Sequence, residues 1–325
     1  MALGLNCWSC MRAEELSLIT VDFQISLGKG QKDFENLYVK KGKRNGYYRD
    51  MLIKLEALYK QNISISDRAV SNLPIPLLTH QIWLGKEYPL EYREWRSSWL
   101  KIHPHWHYIL WVDNPKNYQE GIVVQLRELA TYLSDDAYCG KVLVVDVKDF
   151  PLYNQELYMI SKNYGERSDL LRVELLYHFG GLYLDIDFQA LKTLDVLHLR
   201  YDLYCGMVHL ENLGMLANGI LASVPQHPLF KRYMETLKTI WEGKSTLQRG
   251  PQHFDYCFYT LLCAGFTDRV IALPPTYFFP IKHSQVMGKE NLTPEVVKNL
   301  CNPETLAIHH WAGTWSKPFS YVKKV

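Results

Sequence analysis

The stretch that most constrains this chain is Gly180-Gly181-Leu182-Tyr183-Leu184-Asp185-Ile186-Asp187. Just upstream, residues 167–179 carry apolar side chains at helical spacing, so that Leu170, Val173, Leu176 and Tyr177 make one buried stripe. Gly180 and Gly181 supply the left-handed stop that a helix end favours. A short apolar strand, Leu182 to Leu184, then ends in two carboxylates separated by one apolar residue. In extended chain, residues two apart share a face, so Asp185 and Asp187 point the same way while Ile186 points into the packing. Two carboxylates at a strand end are oxygen ligands for a hard divalent ion such as Mn²⁺ or Mg²⁺. At the edge of an α/β sheet they also lie where ligands usually bind. An isolated Asp-x-Asp is most often a solvated turn, but here the preceding helix repeats the chemistry. Asp169 and Arg172 are three apart and share a helical face. As a plain intrahelical ion pair they would contribute only about 0.2–0.5 kcal/mol.

The flanking sequence alternates strands with helices, the pattern of an α/β layer structure. Strands are expected near 77–83, 106–112, 141–147, 201–208 and 216–223, the third β-branched and of the buried parallel type. Helices are expected at 47–59, 90–102, 118–133 and 228–241. Leu73-Pro74-Ile75-Pro76 is a proline break, and it divides a polar, mostly helical segment, 1–72, from the main domain, 73–325.

Ser168-Asp169-Leu170-Leu171-Arg172 and Gly180 through Asp187 resemble the signature of the DXD-motif sugar transferases, a group that includes fungal initiating mannosyltransferases and the glucosylating domains of large clostridial toxins. The resemblance runs from about Pro76 to Ser316 and leaves the first 70 or so residues uncovered. It implies a glycosyltransferase A-type fold: a mostly parallel Rossmann-like sheet flanked by helices, here preceded by a small helical appendage. It also implies transfer of a hexose from a nucleotide sugar to an acceptor hydroxyl, with retention at the anomeric carbon. On that resemblance Asp187 is a direct metal ligand, and Asp185 binds ribose or metal. Asp169 and Arg172 hold the sugar hydroxyls, and Tyr183 belongs to the donor site with them. Trp83, at the end of the first strand, is placed to stack on the nucleotide base, with a core Trp as the alternative. Asn218 would lie near the bound sugar, or simply fill a buried turn. Gly250, in Arg249-Gly250-Pro251, would bring backbone close to a ligand or only make the turn. The tail Ile308-His309-His310-Trp311-Ala312-Gly313-Thr314-Trp315-Ser316 would fold back as a lid, with His310 favoured over His309 as the third metal ligand and Trp315 near the leaving phosphate.

Two other classes fit parts of the pattern. A phosphohydrolase or nucleotidyl transferase also uses Asp-x-Asp with a metal but has no use for the His-Trp tail. A non-catalytic sugar-binding module would not need Asp169, Arg172, Asp185 and Asp187 together. Across 325 residues the net charge is +2, which makes no case for nucleic-acid binding. Seven cysteines, an odd number, form no disulfide framework, and Cys7-Trp8-Ser9-Cys10 lacks the second pair a zinc site would need. His103, His105 and His107 straddle Pro104 and enter a strand, so they read as structural or exposed rather than metal-binding. No apolar run reaches membrane-spanning length, and no signal peptide is supported. That points to a cytoplasmic enzyme, or a bacterial effector or toxin delivered into a host cell, and to a UDP-sugar donor ahead of GDP-mannose. The basic cluster Lys40, Lys41, Lys43 and Arg44 suggests peripheral membrane contact through the N-terminal region. The acceptor, whether protein, lipid or glycan, is not legible in the sequence.

Overall fold

A computed structural model describes residues 18–27, 45–68, 74–85, 87–118, 120–209, 216–288 and 290–313. Its centre is a sheet of eight strands: β1 (Leu78–Trp83), β2 (His107–Val112), β3 (Ile122–Val123), β4 (Val142–Asp146), β5 (Gly181–Leu184), β7 (Leu203–Met207), β8 (Leu216–Ser223) and β9 (Val270–Leu273), in the order β3-β4-β2-β1-β5-β8-β7-β9. Every neighbouring pair is parallel except the two made by β8. A separate antiparallel ribbon pairs β6 (Phe188–Ala190) with β10 (Ala307–His309). The mostly parallel, helix-flanked sheet expected of a glycosyltransferase A-type chain is therefore present. All six residues of β1 and all six of β2 are buried, as strands covered by helices on both faces must be.

Chain order fixes where a ligand fits. From β1 the chain builds outward through β2 and β4, then returns to add β5 on the other side of β1. The strand order thus reverses at β1, and the crevice beyond its C-terminal end is the topological switch point where α/β sheets bind ligands.

Five helices matter to the site. Helix α1 (Asn45–Asn62) packs Met51, Leu55, Leu58 and Tyr59 into the same core as the sheet. The Asn62 amide donates to the Val270 carbonyl at 2.7 Å, so the described part of the N-terminal segment is built onto the β9 edge. Helix α2 (Arg93–Ile102) lies along β6, its Trp99 Nε1 donating to the Phe188 carbonyl at 2.8 Å. Helix α3 (Tyr164–Phe179) leads into β5. Helices α4 (Pro228–Ile240) and α5 (Pro251–Cys263) pack together beside it.

One expected helix is cut short. Residues 118–133 give edge strand β3 and then a 3-10 turn, Leu126–Glu128, that runs into a short helix, Leu129–Leu133. Gly121 adopts φ +117°, and a Cβ there would stand 2.8 Å from the Val142 carbonyl oxygen, so the chain swings into the sheet instead of coiling. Pairing of Ile122 and Val123 with Leu143 and Val144 overrides the helical spacing.

The three histidines at 103–107 are structural, as expected: His103 stacks on Trp99, and His105 Nε2 meets Asp195 Oδ1 at 3.0 Å. No described helix is long and apolar enough to cross a membrane. Cys7, Cys10 and the Lys40–Arg44 cluster lie outside the described residues.

Candidate active site

The Gly180-Gly181 pair sets the site's position. Both residues have positive φ, +65° and +87°. A Cβ on Gly181 would stand 2.5 Å from the Leu78 carbonyl oxygen, and one on Gly180 2.7 Å from the Pro225 ring. Only glycine lets α3 end so close to β1 that β5 can pair beside it. The Gly180 carbonyl is held by His80 Nε2 at 3.0 Å, and β5 then delivers the two aspartates to the end of the sheet.

Asp185 and Asp187 converge not as neighbours in extended chain but through a turn, closed by the Phe188 N–H donating to the Asp185 carbonyl at 3.2 Å, and their surroundings differ. The Tyr183 hydroxyl donates to Asp185 Oδ1 at 2.6 Å, and Arg172 Nη1 lies 3.4 Å from the same oxygen. Burial pushes the Asp185 carboxyl up, opposed by Arg172 and reinforced by the Asp187 charge. At Asp187 burial acts the same way, but His309 and the Ala312 N–H overcome it and hold the carboxyl below its usual range. Ala312 N–H donates to Asp187 Oδ2 at 2.8 Å, and His309 Nε2 lies 3.1 Å from Oδ1.

Arg172 is the hub of the second half of the site. Its guanidinium reaches Asp169 Oδ1 at 3.2 Å, the Ser168 hydroxyl at 3.0 Å and the Asn218 carbonyl at 2.6 Å, over the Tyr183 ring at 4.6 Å. Burial disfavours its charge, yet Tyr183, Asp185 and Asp169 together raise its pKa. Asn218 Nδ2 donates to Asp169 Oδ1 at 2.7 Å. Burial lifts the Asp169 carboxyl to about 6 despite Arg172. Two glycines make the room: a Cβ at Gly219 would stand 2.7 Å from Asp185 Oδ2, and one at Gly250 2.2 Å from Asp169 Oδ2. Gly250 makes the turn between the helices Thr246–Arg249 and Pro251–Cys263, and its close neighbour is the Asp169 side chain.

The tail corrects one assignment. The carboxylates gather His309, not His310: Asp185, Asp187 and His309 offer ligand atoms all within 4.8 Å of one another. His310 faces the other way, stacked on Trp95 at 4.3 Å with Nε2 bonded to Gln189 Oε1 at 3.0 Å. The cause is strand parity. His309 closes β10 opposite Phe188, whose ring it stacks on at 4.5 Å, and the next residue points away. Trp315 lies outside the described residues. Trp83 ends β1 beside Tyr88 and Tyr92, 8% exposed, and lines a small pocket with Asp113 and Tyr118. The structure thus brings Asp169, Arg172, Tyr183, Asp185, Asp187 and Asn218 into one cluster.

Residues 89–204 match the family described as glycosyltransferase sugar-binding region containing DXD motif. That stretch carries the Asp185-Ile186-Asp187 motif for which the family is described. The matched region contains Asp169, Arg172, Tyr183, Asp185 and Asp187, whereas Asn218, Gly250 and His309 join them from outside it. The chain is similar to the mannosyl phosphorylinositol ceramide synthase SUR1 of Saccharomyces cerevisiae, 27% identical over 164 residues that make up 50% of this chain and 35% of that protein. It is similar to the inositol phosphoceramide mannosyltransferase 2 of Schizosaccharomyces pombe, 27% identical over 214 residues, or 64% of this chain and 51% of that protein. It also shares 30% identity over 132 residues, 37% of this chain, with 19% of the subversion of eukaryotic traffic protein A of Legionella pneumophila. The chain therefore spans from about a third to about a half of the length of these two fungal relatives.

Gly219 and His309 carried too little local signal to be singled out as site residues. Gly219 differs from any turn glycine only through Asp185, more than thirty residues away. The one usable clue for His309 was the alternation in Ala307-Ile308-His309, which marks it as a strand residue.

Proposed function

We propose that this protein is a metal-dependent glycosyltransferase that moves a hexose from a nucleotide sugar to an acceptor hydroxyl. The observation that carries this reading is the convergence of Asp185, Asp187 and His309 within 4.8 Å, beside the Asp169–Arg172 pair. Two carboxylates and an imidazole are a donor set that suits Mn²⁺ and accommodates Mg²⁺ less well. His309 Nδ1 is buried without a hydrogen-bond partner among the described residues, so the ring is not fully committed to the protein. When bound, the ion supplies Lewis-acid stabilisation of the charge gathering on the departing diphosphate. The chain's own residues do the rest. Asp169 and Arg172 orient the sugar hydroxyls. Tyr183 fixes Asp185 with its hydroxyl, and the Ala312 N–H fixes Asp187. Trp315 would sit beside the leaving phosphate.

Relatives named for mannosyl transfer to inositol phosphoceramide favour a mannosyl donor and a lipid headgroup acceptor. The second reading is an effector with a UDP-hexose donor; the similarity to the Legionella protein, named for subversion of eukaryotic traffic, supports its effector part, and the donor rests on the sequence reading alone. A donor screen tests both: GDP-mannose, UDP-glucose and UDP-N-acetylglucosamine, each with Mn²⁺ or with EDTA, with and without inositol phosphoceramide. Mannosyl transfer lost in EDTA supports the first reading. Turnover of a UDP-sugar alone selects the second. Undiminished turnover in EDTA after dialysis, or no turnover of any donor, refutes the proposal.

A further inference from the structure

The tail holds a strained residue that the proposed mechanism leaves unused. Trp311, two residues past His309, has φ +54°, in the left-handed region that glycine occupies freely and bulky side chains rarely do. Among the described residues, the other non-glycines with such a backbone are Gln226 and Arg269. Gln226 follows β8 and Arg269 precedes β9, so both lie at the end of the sheet away from the carboxylates. Strain of this kind persists only where the surroundings over-determine the backbone, and it concentrates at functional sites.

The indole is what holds the turn. Its Nε1 donates to the Ile281 carbonyl at 2.9 Å, and its ring lies 4.4 Å from His309, 5.1 Å from His283 and 5.6 Å from Phe279. The turn in turn brings two N–H groups to one residue. The His310 N–H donates to the Asp187 carbonyl at 3.0 Å, and the Ala312 N–H to Asp187 Oδ2 at 2.8 Å. A chain running on in extended form from β10 would carry Ala312 past Asp187, since each residue of a strand advances about 3.3 Å. His309 is held from the same place. Its ring stacks on Phe188 at 4.5 Å and meets Trp311 edge-on at 65°, which leaves Nε2 3.1 Å from Asp187 Oδ1. One short segment anchors both tail residues, because the Phe278 carbonyl takes the His309 N–H at 3.1 Å and the Ile281 carbonyl takes the indole. Trp311 thus touches the imidazole directly and reaches the carboxylate through Ala312.

We propose that Trp311 is a positioning residue for the metal site: its indole pins a strained left-handed turn that sets His309 and Asp187 in place before the ion arrives. The inference rests on the metal-dependent reading above and deepens it. Trp311 offers the ion no ligand and is not catalytic. Groups that orient a metal's ligands in this way are worth about ten- to a hundredfold in affinity.

The test is Mn²⁺ binding to the wild-type chain, to Trp311→Ala and to Trp311→Gly, with urea midpoints measured on the metal-free proteins. Binding is read by electron paramagnetic resonance, with the ion alone and again with saturating GDP or UDP. Trp311→Ala keeps the strained turn without its anchor, so Mn²⁺ is expected to bind at least about tenfold more weakly. Trp311→Gly loses the same ring, but glycine takes the left-handed turn freely. Its affinity is expected to exceed that of Trp311→Ala by at least about threefold and to stay below wild type. A side chain that only packs would not produce that order, because both variants remove the same indole. A Trp311→Ala protein with a lower midpoint that binds Mn²⁺ within about threefold of wild type makes the indole plain packing. That result overturns the inference and leaves the glycosyltransferase reading standing. Trp311→Gly binding no tighter than Trp311→Ala overturns it equally. Should the alanine variant not fold, a folded glycine variant decides: a loss of about threefold or more supports the inference, and wild-type affinity overturns it. A wild-type chain that takes up no Mn²⁺, with or without nucleotide, overturns both readings.

Discussion

Replacing Gly250 with alanine puts one methyl group against Asp169. A Cβ at Gly250 would stand 2.2 Å from Asp169 Oδ2 and 2.7 Å from its Cγ, so the carboxylate must retreat until the contact is at least 3.0 Å. Asp169 has little freedom to do so, because Asn218 Nδ2 holds Oδ1 at 2.7 Å and Arg172 lies at 3.2 Å. The backbone of Gly250 is anchored as well: its N–H donates to the Thr246 carbonyl at 2.9 Å, and Arg249 is paired with buried Glu166 at 3.0 Å. A shift approaching 1 Å in a group that orients the sugar costs about a hundredfold in rate. Overpacking of this kind costs about 1–3 kcal/mol of stability, which leaves a folded protein to assay. Donor hydrolysis measured as kcat/KM, beside urea unfolding of the same preparation, reads both effects. Gly46→Ala, where no atom lies within 4 Å of the added methyl, is the control and should match wild type in both. If Gly250→Ala keeps kcat/KM within threefold of wild type, Asp169 does not orient the sugar.

Other outcomes follow from the same geometry. Asp187→Asn should abolish turnover while circular dichroism stays native, since the change is nearly isosteric; wild-type turnover in Mn²⁺ would remove Asp187 from the metal site. His309→Ala should weaken Mn²⁺ binding, read by electron paramagnetic resonance, far more than His310→Ala, and the reverse order would restore His310 as the ligand. Burial lowers the pKa of His80 and of His103 to about 4, so the unfolded chain binds more protons than the folded one between that value and 6.5. Their stability contribution, about 3 kcal/mol each at most, is complete above pH 6.5 and is lost as pH falls toward 4. Urea midpoints that do not change between pH 7 and pH 5 would contradict it. Gly181→Ala should destabilise more than Gly250→Ala, because its methyl meets the Leu78 carbonyl in β1, which cannot rotate away; equal unfolding midpoints would count against that.

The sequence by itself determined what depends on neighbours a few residues apart. The helix of residues 164–179, its glycine stop and the short strand follow from local spacing, whereas the convergence of Asp185 and Asp187 is made by a turn after that strand. The buried strands β2 and β4 follow from their apolar runs as well, whereas β1 buries Thr79, His80 and Gln81 among its six residues. Tertiary structure decided what depends on partners far along the chain. Residues 118–133 had helical spacing, yet Gly121 and the pairing of Ile122 and Val123 with β4 put a strand there. His309 and His310 are chemically identical neighbours. Which one faces the carboxylates is a matter of strand parity, fixed only by the pairing of β10 with β6 more than a hundred residues earlier. Gly219 and Gly250 matter because the carboxylates of Asp185 and Asp169 occupy the space a Cβ would take.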